Sequence, residues 1–220
     1  MVVKDQFRRF QMSMVITAQM LEEGPPLVQG DPEQRFRDWQ LCVASVEDLW
    51  RASAVLWLDG YHAAATALAI STIEETGKLA VERFRLWGAD RIVFPESMQS
   101  LWEARQSQFR DHRTKHVIAA MAGALINARL DRILGLQFIN EFLECVERKR
   151  LEKFRQSCLY LDRKKGVLQT PKRVIEPMTS ARYVALAGEI LAEILPDPLE
   201  WQRVLERVQA FERAAELPYK

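Results

Sequence analysis

Apolar residues return every three or four positions between Asp31 and Leu58, which is the spacing of one face of an α-helix. The stretch opens with Asp31-Pro32-Glu33, where an aspartate suited to an N-cap precedes a proline suited to the first helical turn. The apolar positions that follow are Trp39, Val43, Val46, Trp50 and Trp57. The pattern predicts one long helix over residues 32–58.

A second long helix is predicted over residues 61–87. Gly60 separates it from the first helix, and Gly88 stands where a C-terminal cap is expected. The stretch between them is rich in Ala and Leu and contains no Pro, so nothing interrupts it. Two helices joined by so short a turn are expected to pack antiparallel.

The rest of the chain continues the helical pattern. We expect further helices over residues 2–23, 95–130 with a break near Asp111, 137–161, 180–195 and 198–215. One Gly and two Pro in residues 163–177 predict a loop or a small hairpin. The chain is therefore predicted to be all-α, an antiparallel helical bundle with long central helices and additional short C-terminal helices. Residues 1–30 are expected to form an N-terminal helix and a Pro/Gly linker, and residues 31–220 one helical-bundle domain.

A polar wedge lies between two apolar faces of the second predicted helix when residues 68–87 are placed on a helical wheel. Its members are Ser71, Glu74, Glu75, Lys78, Glu82 and Arg85. Charges flanked by core on both sides need partners. One interpretation is an ordinary surface pair between Glu74 and Lys78, which are four positions apart. The other gives Glu75 a buried, functional role, because Ser71 rather than a cation lies one turn before it.

Two of the three histidines, His112 and His116, stand one helical turn apart. Ala119 and Gly123 share their face, and these small residues allow another helix to approach closely. The pair can sit at a helix contact or a dimer seam, be simple surface or capping histidines, or form half of a metal site with Glu74 and Glu75. The pattern lacks the intervening Glu of a zinc protease, so we expect no metal and no cofactor. We expect His62, near a helix start, to be structural.

Charge and cysteine content exclude some classes of function and indicate a cellular compartment. Lys and Arg number 31 against 30 for Asp and Glu, so the whole chain has no net field to hold DNA or another long nucleic acid. The three cysteines, at positions 42, 145 and 158, are widely spaced and predict buried thiols in a reducing compartment. The N-terminal segment lacks the apolar core of a signal peptide, and no other run is long enough to span a bilayer. We expect a cytoplasmic protein without membrane contact.

The run from Leu58 to Lys78 resembles the AbiV family of bacterial abortive-infection proteins, which has a Gly, an Ala-rich helix and then Glu-Glu-x-Gly-Lys. Here that last motif is Glu74-Glu75-Thr76-Gly77-Lys78. Two further segments match in the same order. They are His112-Arg-Thr-Lys115, similar to the family's His-x-x-Lys, and Arg155-Gln-Ser-Cys-Leu-Tyr-Leu-Asp162, similar to its Leu-Tyr-Val-Asp segment.

The resemblance implies membership of the HEPN superfamily, whose helical bundles often act as metal-independent endoribonucleases with an Arg-x(4–6)-His motif, usually across a dimer. Arg105 to His112 and Arg110 to His116 both satisfy that spacing. The family's role of halting phage multiplication implies translation arrest. It leaves open whether that arrest needs catalysis.

Two functions follow from these residues. In the enzyme, His112 acts as general acid or base on RNA, Arg105 or Lys115 stabilises the phosphorane charge, and Arg110 and His116 form the second candidate pair. In the non-catalytic effector, a polar cluster of Glu74, Glu75, Lys78, Tyr160 and Asp162 fixes helix packing. The effector binds a phage protein or part of the translation machinery. In either case we expect His112 to contribute to phage protection.

We predict a homodimer, because the small residues Ala119 and Gly123 beneath His116 allow close helix approach and HEPN-like proteins commonly pair there. Light scattering at micromolar concentration should give twice the chain mass. A monomer mass across the whole concentration range would contradict the prediction.

Overall fold

The computed structural model describes residue 28 and residues 30–87, 134–148, 150–164 and 167–217. Within them the chain is helical apart from one short hairpin, and the all-α prediction is confirmed. We number the helices α1 Pro32–Leu58, α2 His62–Trp87, α3 Leu136–Glu147, α4 Arg150–Leu159, α5 Pro177–Ile194 and α6 Pro198–Ala214. The hairpin pairs β1, Asp162–Lys164, with β2, Val167–Gln169, and a 3-10 turn follows at Pro171–Arg173.

The predicted start and end of α1 are both confirmed. The side chain of Asp31 accepts a hydrogen bond of 2.8 Å from the backbone N–H of Gln34, which makes it the N-cap. At the other end Gly60 has a φ of +83°, a conformation that costs glycine little. The N–H groups of Gly60 and Tyr61 donate to the carbonyls of Trp57 and Leu56, so the last turn is capped and the chain reverses into α2.

The region predicted as one helix over residues 137–161 is two helices. α3 ends at Glu147 and α4 begins at Arg150. No Gly or Pro marks the break in the sequence. The reason lies in packing, because Phe138 and Phe142 of α3 and Phe154 of α4 all pack around Tyr183 of α5. The predicted helices over residues 2–23 and 95–130 lie outside the described residues.

Helices α2 and α5 form the centre of the described bundle. Their facing residues are small or aliphatic, among them Ala65, Ala69, Ile73, Ala187 and Ile190, and all are fully buried. The two helices run in the same direction. At the start the hydroxyl of Ser180 donates to the carbonyl of His62 at 2.7 Å, and at the end Arg83 donates to the carbonyl of Glu193 at 3.1 Å. Helix α6 returns along α5 and brings Phe211 against Trp57.

The tightest helix approach is at Gly188 of α5. The indole N–H of Trp50, from α1, donates to the carbonyl of Val184 at 3.0 Å, so the edge of the indole contacts the α5 backbone. A Cβ added at Gly188 would lie 2.6 Å from Trp50 Nε1 and 2.6 Å from Val208 Cγ2. Gly188 therefore sets the distance at which α1 and α6 pack on α5.

We predict that Gly188→Ala lowers the free energy of unfolding by about 1–3 kcal/mol, because the methyl group forces Trp50 or Val208 out of place. Helix propensity alone predicts the opposite sign, a gain of roughly 1 kcal/mol. Chemical denaturation of the two proteins measures the difference. An unchanged or raised stability would show that the three helices can separate without cost.

Candidate functional site

The predicted polar wedge on α2 faces two neighbouring helices. Glu74 and Glu82 are buried, and Ser71, Glu75 and Lys78 are half-buried. Four hydroxyls on the same helix, Thr66, Ser71, Thr72 and Thr76, donate to the carbonyl four residues earlier, and Thr66 also lies 2.8 Å from the hydroxyl of Ser180 on α5. The charged members of the wedge therefore decide what this face of α2 can do.

Lys78 pairs with Glu75, three positions before it. Its ammonium group donates to both carboxylate oxygens of Glu75, at 2.6 and 2.8 Å. The expected Glu74–Lys78 surface pair is wrong, and so is the inference that Glu75 lacks a nearby cation. The Glu75 side chain is also 39% exposed. A pair in contact with water contributes little to stability.

Glu74 is the buried member, with only 7% of its surface exposed. It faces α4, where Arg155 is held by Glu152 in a two-point contact of 2.8 and 2.7 Å. The hydrogen bond to Glu152 raises the pKa of Arg155, burial opposes that rise, and the negative charges of Glu152 and Glu74 add to it. Arg155 thus joins the α2 wedge to α4. Sequence reasoning missed this residue, although the Glu152-x-x-Arg155 spacing indicates the pair.

Tyr160 and Asp162 lie just past the end of α4. Tyr160 is exposed, and Asp162 opens β1, opposite Gln169. The predicted polar cluster is therefore spread along one face. Glu74, Glu75 and Lys78 lie on the middle of α2, and Tyr160 and Asp162 lie where the chain leaves α4. Arg155 stands between the two groups.

The five predicted catalytic residues, Arg105, Arg110, His112, Lys115 and His116, lie outside the described residues. Their roles remain predictions. The third histidine, His62, packs its ring 5.4 Å from that of Trp57. Its carbonyl accepts hydrogen bonds from Thr66 at 2.8 Å and Ser180 at 2.7 Å. This geometry gives His62 the structural position expected of it, at the junction of α1, α2 and α5.

The cysteines carry no sign of an activated thiol. Burial raises the pKa of Cys158 to about 12. Burial also raises the pKa of Cys42, and the charges of Asp38, Glu82 and Glu75 raise it further. Burial is the main cause of the raised pKa of Cys145 as well. A nucleophilic cysteine needs a lowered pKa, so these thiols are unsuited to that chemistry.

An open groove of about 530 Å³ lies beside the start of α5. Trp57, Pro177 and Met178 line it together with Glu176 and Glu216. In the described part of the chain, no three His, Cys, Asp or Glu side chains converge as metal ligands would. None of the described helices has the length and apolar character needed to cross a bilayer.

The all-α bundle of the described residues is consistent with a HEPN-like fold. Comparison with family models agrees, since the model HEPN_AbiV, described as AbiV, matches residues 36–192. The match spans most of the chain, and the chain therefore belongs to the AbiV family of HEPN-like proteins. That membership places it among the proteins of abortive-infection defence. Neither the curated proteins nor the solved structures gave a significant match.

We predict that Glu74→Gln costs more stability than Glu75→Gln, although the two residues are adjacent. Glu74 is buried against α4, so losing its charge should cost about 1–3 kcal/mol. Glu75 is in contact with water, and its loss should cost less than about 1 kcal/mol. Urea denaturation of the two variants provides the comparison. Equal losses would mean that burial does not separate the two carboxylates.

Proposed function

We propose that this protein is an anti-phage effector that blocks phage multiplication by arresting translation, and that it does so by binding a phage or host partner rather than by cleaving RNA. The observation that carries the proposal is the match of residues 36–192 to the AbiV family, whose role is abortive infection. Cytoplasmic action and a homodimeric state belong to the same proposal.

The charges of the α2 wedge support the binding interpretation. Lys78 is engaged by Glu75 and Arg155 by Glu152, with every donor–acceptor distance between 2.6 and 2.8 Å. A general acid or base must be able to exchange a proton with a substrate, and a cation that stabilises a transition state must be able to reach it. Each of these pairs lies within one helix, so both cations already have an anionic partner and are better suited to stabilising α2 and α4 than to contacting a substrate.

A metal-independent endoribonuclease using His112 with Arg105 or Lys115 is the competing function. The two functions differ in what happens to RNA, so one comparison separates them. Purified protein is incubated with total RNA in EDTA. Cells expressing the protein are infected and pulse-labelled for new protein synthesis.

We predict that the RNA stays intact while labelling falls after infection. His112→Gln is the control variant, because Gln keeps a hydrogen-bonding end but cannot transfer a proton near neutral pH. A proton-transfer role would contribute a factor of about 10² to 10⁴ in rate. RNA fragments made by the wild type and lost in His112→Gln would establish the nuclease and contradict the binding proposal.

A further inference from the structure

The groove beside the start of α5 lies where three separate parts of the chain meet. They are the end of α1, the start of α5 and the end of α6. The groove has a volume of about 530 Å³ and is open to solvent. Its lining residues are Trp57, Glu176, Pro177, Met178 and residues 214–216, and the structure describes all of them. We call this site the Trp57 groove.

The indole of Trp57 is fixed by contacts with three helices. Its N–H donates to the carbonyl of Pro177 at 3.0 Å, where α5 begins. Its ring lies 5.4 Å from the ring of His62, on α2, and 5.5 Å from that of Phe211, on α6. Because these contacts lie within the folded chain, this wall of the groove is formed before any ligand binds. The indole N–H is already used, so Trp57 offers a ligand only its apolar and π surface.

The two acidic residues of the groove are positioned by helix ends. Glu176 is the N-cap residue of α5. Glu216 follows α6 with a φ of +53°, a conformation more usual for glycine. Its N–H donates to the carbonyl of Arg213 at 3.2 Å, and the N–H of Leu217 donates to the carbonyl of Glu212 at 3.0 Å. These two hydrogen bonds form the C-cap of α6 and fix the backbone on both sides of Glu216.

Neither carboxylate is neutralised within the described part of the chain. Glu176 and Glu216 are exposed, and no hydrogen bond or ion pair with another described residue engages their side chains. An arginine lies three positions before each of them, at positions 173 and 213, but neither arginine pairs with its glutamate or lines the groove. The lining therefore carries two negative charges and no positive charge, and it favours a cation.

We propose that the Trp57 groove is the docking site for an arginine side chain on the surface of a protein partner. The inference rests on the proposed function, which requires a partner, and adds where that partner binds and which group it presents. A guanidinium group is planar, donates two parallel hydrogen bonds to a carboxylate and stacks on aromatic rings. Pro177 and Met178 line the same groove and can contact the aliphatic stem of the arginine.

Three other occupants fit the groove less well. Pockets for small ligands enclose about 70–90% of the ligand, whereas this groove is open, so a free cation would remain largely in water. The α1–α2 turn, directly after Trp57, exposes 56% of Leu58 and 63% of Tyr61, and only a larger partner can cover them. Two carboxylates repel the phosphates of RNA. A symmetric contact between the grooves of two copies would bring four carboxylates together.

The test compares variants of the full-length protein in a phage-plating assay. Glu176→Gln removes one charge of the groove and keeps the size of the side chain. Glu216→Gly removes the other charge and relieves the positive φ, so it should not lower the melting temperature. The matched control is the double variant Glu141→Gln/Glu206→Gln, which removes two exposed carboxylates from α3 and α6. Thermal melts of the purified variants establish that each is folded.

We predict that the double variant Glu176→Gln/Glu216→Gly loses at least about tenfold in phage protection, because removing the anions from a contact with a cation weakens binding by that factor or more. The control variant should protect as well as the wild type.

Crosslinking identifies what occupies the groove. A photoreactive phenylalanine analogue at Met178 should crosslink one protein in infected cells, next to an arginine of that protein. The same analogue at Leu199, which is 77% exposed at the start of α6, should not crosslink it. Replacing the partner's arginine with glutamate should abolish the crosslink at position 178.

Failure of the inference and failure of the proposed function give different results. Folded groove variants that protect as well as the wild type overturn the docking site and leave the effector function standing. A wild type that gives no protection overturns the effector function, and with it the partner that the inference requires. The inference is also overturned by a crosslink at position 178 that is absent, that survives the loss of the partner's arginine, or that leads to RNA, to a second copy or to this chain itself. A rise in melting temperature with millimolar spermidine, lost in Glu176→Gln/Glu216→Gly, would assign the groove to a free cation and overturn the protein partner.

Discussion

The described structure depends on how it holds a buried carboxylate, Glu47 of α1. Its side chain is almost fully buried, and isolating a charge in this way is costly unless the charge is paired. Arg203 of α6 meets it with two hydrogen bonds of 3.0 and 2.7 Å, and Arg207 adds a third contact one turn later. Both arginines remain partly in water, so the anion is satisfied without burying two cations.

This contact joins a residue inside the region matched by the family model to two residues outside it. Glu47 lies within residues 36–192, whereas both arginines lie beyond them. Helix α6 nevertheless packs along α5, and Phe211 completes an aromatic contact with Trp57 at a centroid distance of 5.5 Å. The α1 carboxylate is therefore paired by a helix that lies outside the matched residues, and α6 packs with the matched helices.

Local signals in the sequence predicted most of the described elements. The Asp31 cap, Gly60, and Pro198 after Asp197 mark helix ends, and each is explained by backbone geometry within a few residues. The break between α3 and α4 was not predicted, because it is set by the packing of three phenylalanines around Tyr183 rather than by a breaker. The Glu47–Arg203 pair spans 156 residues, and no local pattern reveals such a contact.

The candidate site shows the same limit. Spacing predicted that Lys78 would pair with Glu74, but Lys78 pairs with Glu75, and Glu74 is the buried carboxylate. Helical periodicity predicted charged residues between two apolar faces of α2. It gave no sign that Arg155, on α4, would interact with one of them, Glu74. Sequence reasoning treated Tyr160 as a member of a buried network, yet it is exposed because the chain leaves α4 at that residue and turns into the hairpin.

The two regions that distinguish this molecule have opposite physical characters. On the middle of α2 and on α4 the charges are paired within each helix and partly buried, so these side chains have little free energy to gain from another partner. Around the α1–α2 turn, the end of α4 and strand β2, large apolar side chains remain in contact with water, where burying them would still release free energy. Another molecule gains binding free energy mainly from side chains that are still in contact with water. Within the described residues, that argument places the capacity for recognition on the exposed apolar side chains around the α1–α2 turn and the hairpin, and not on the paired charges of α2.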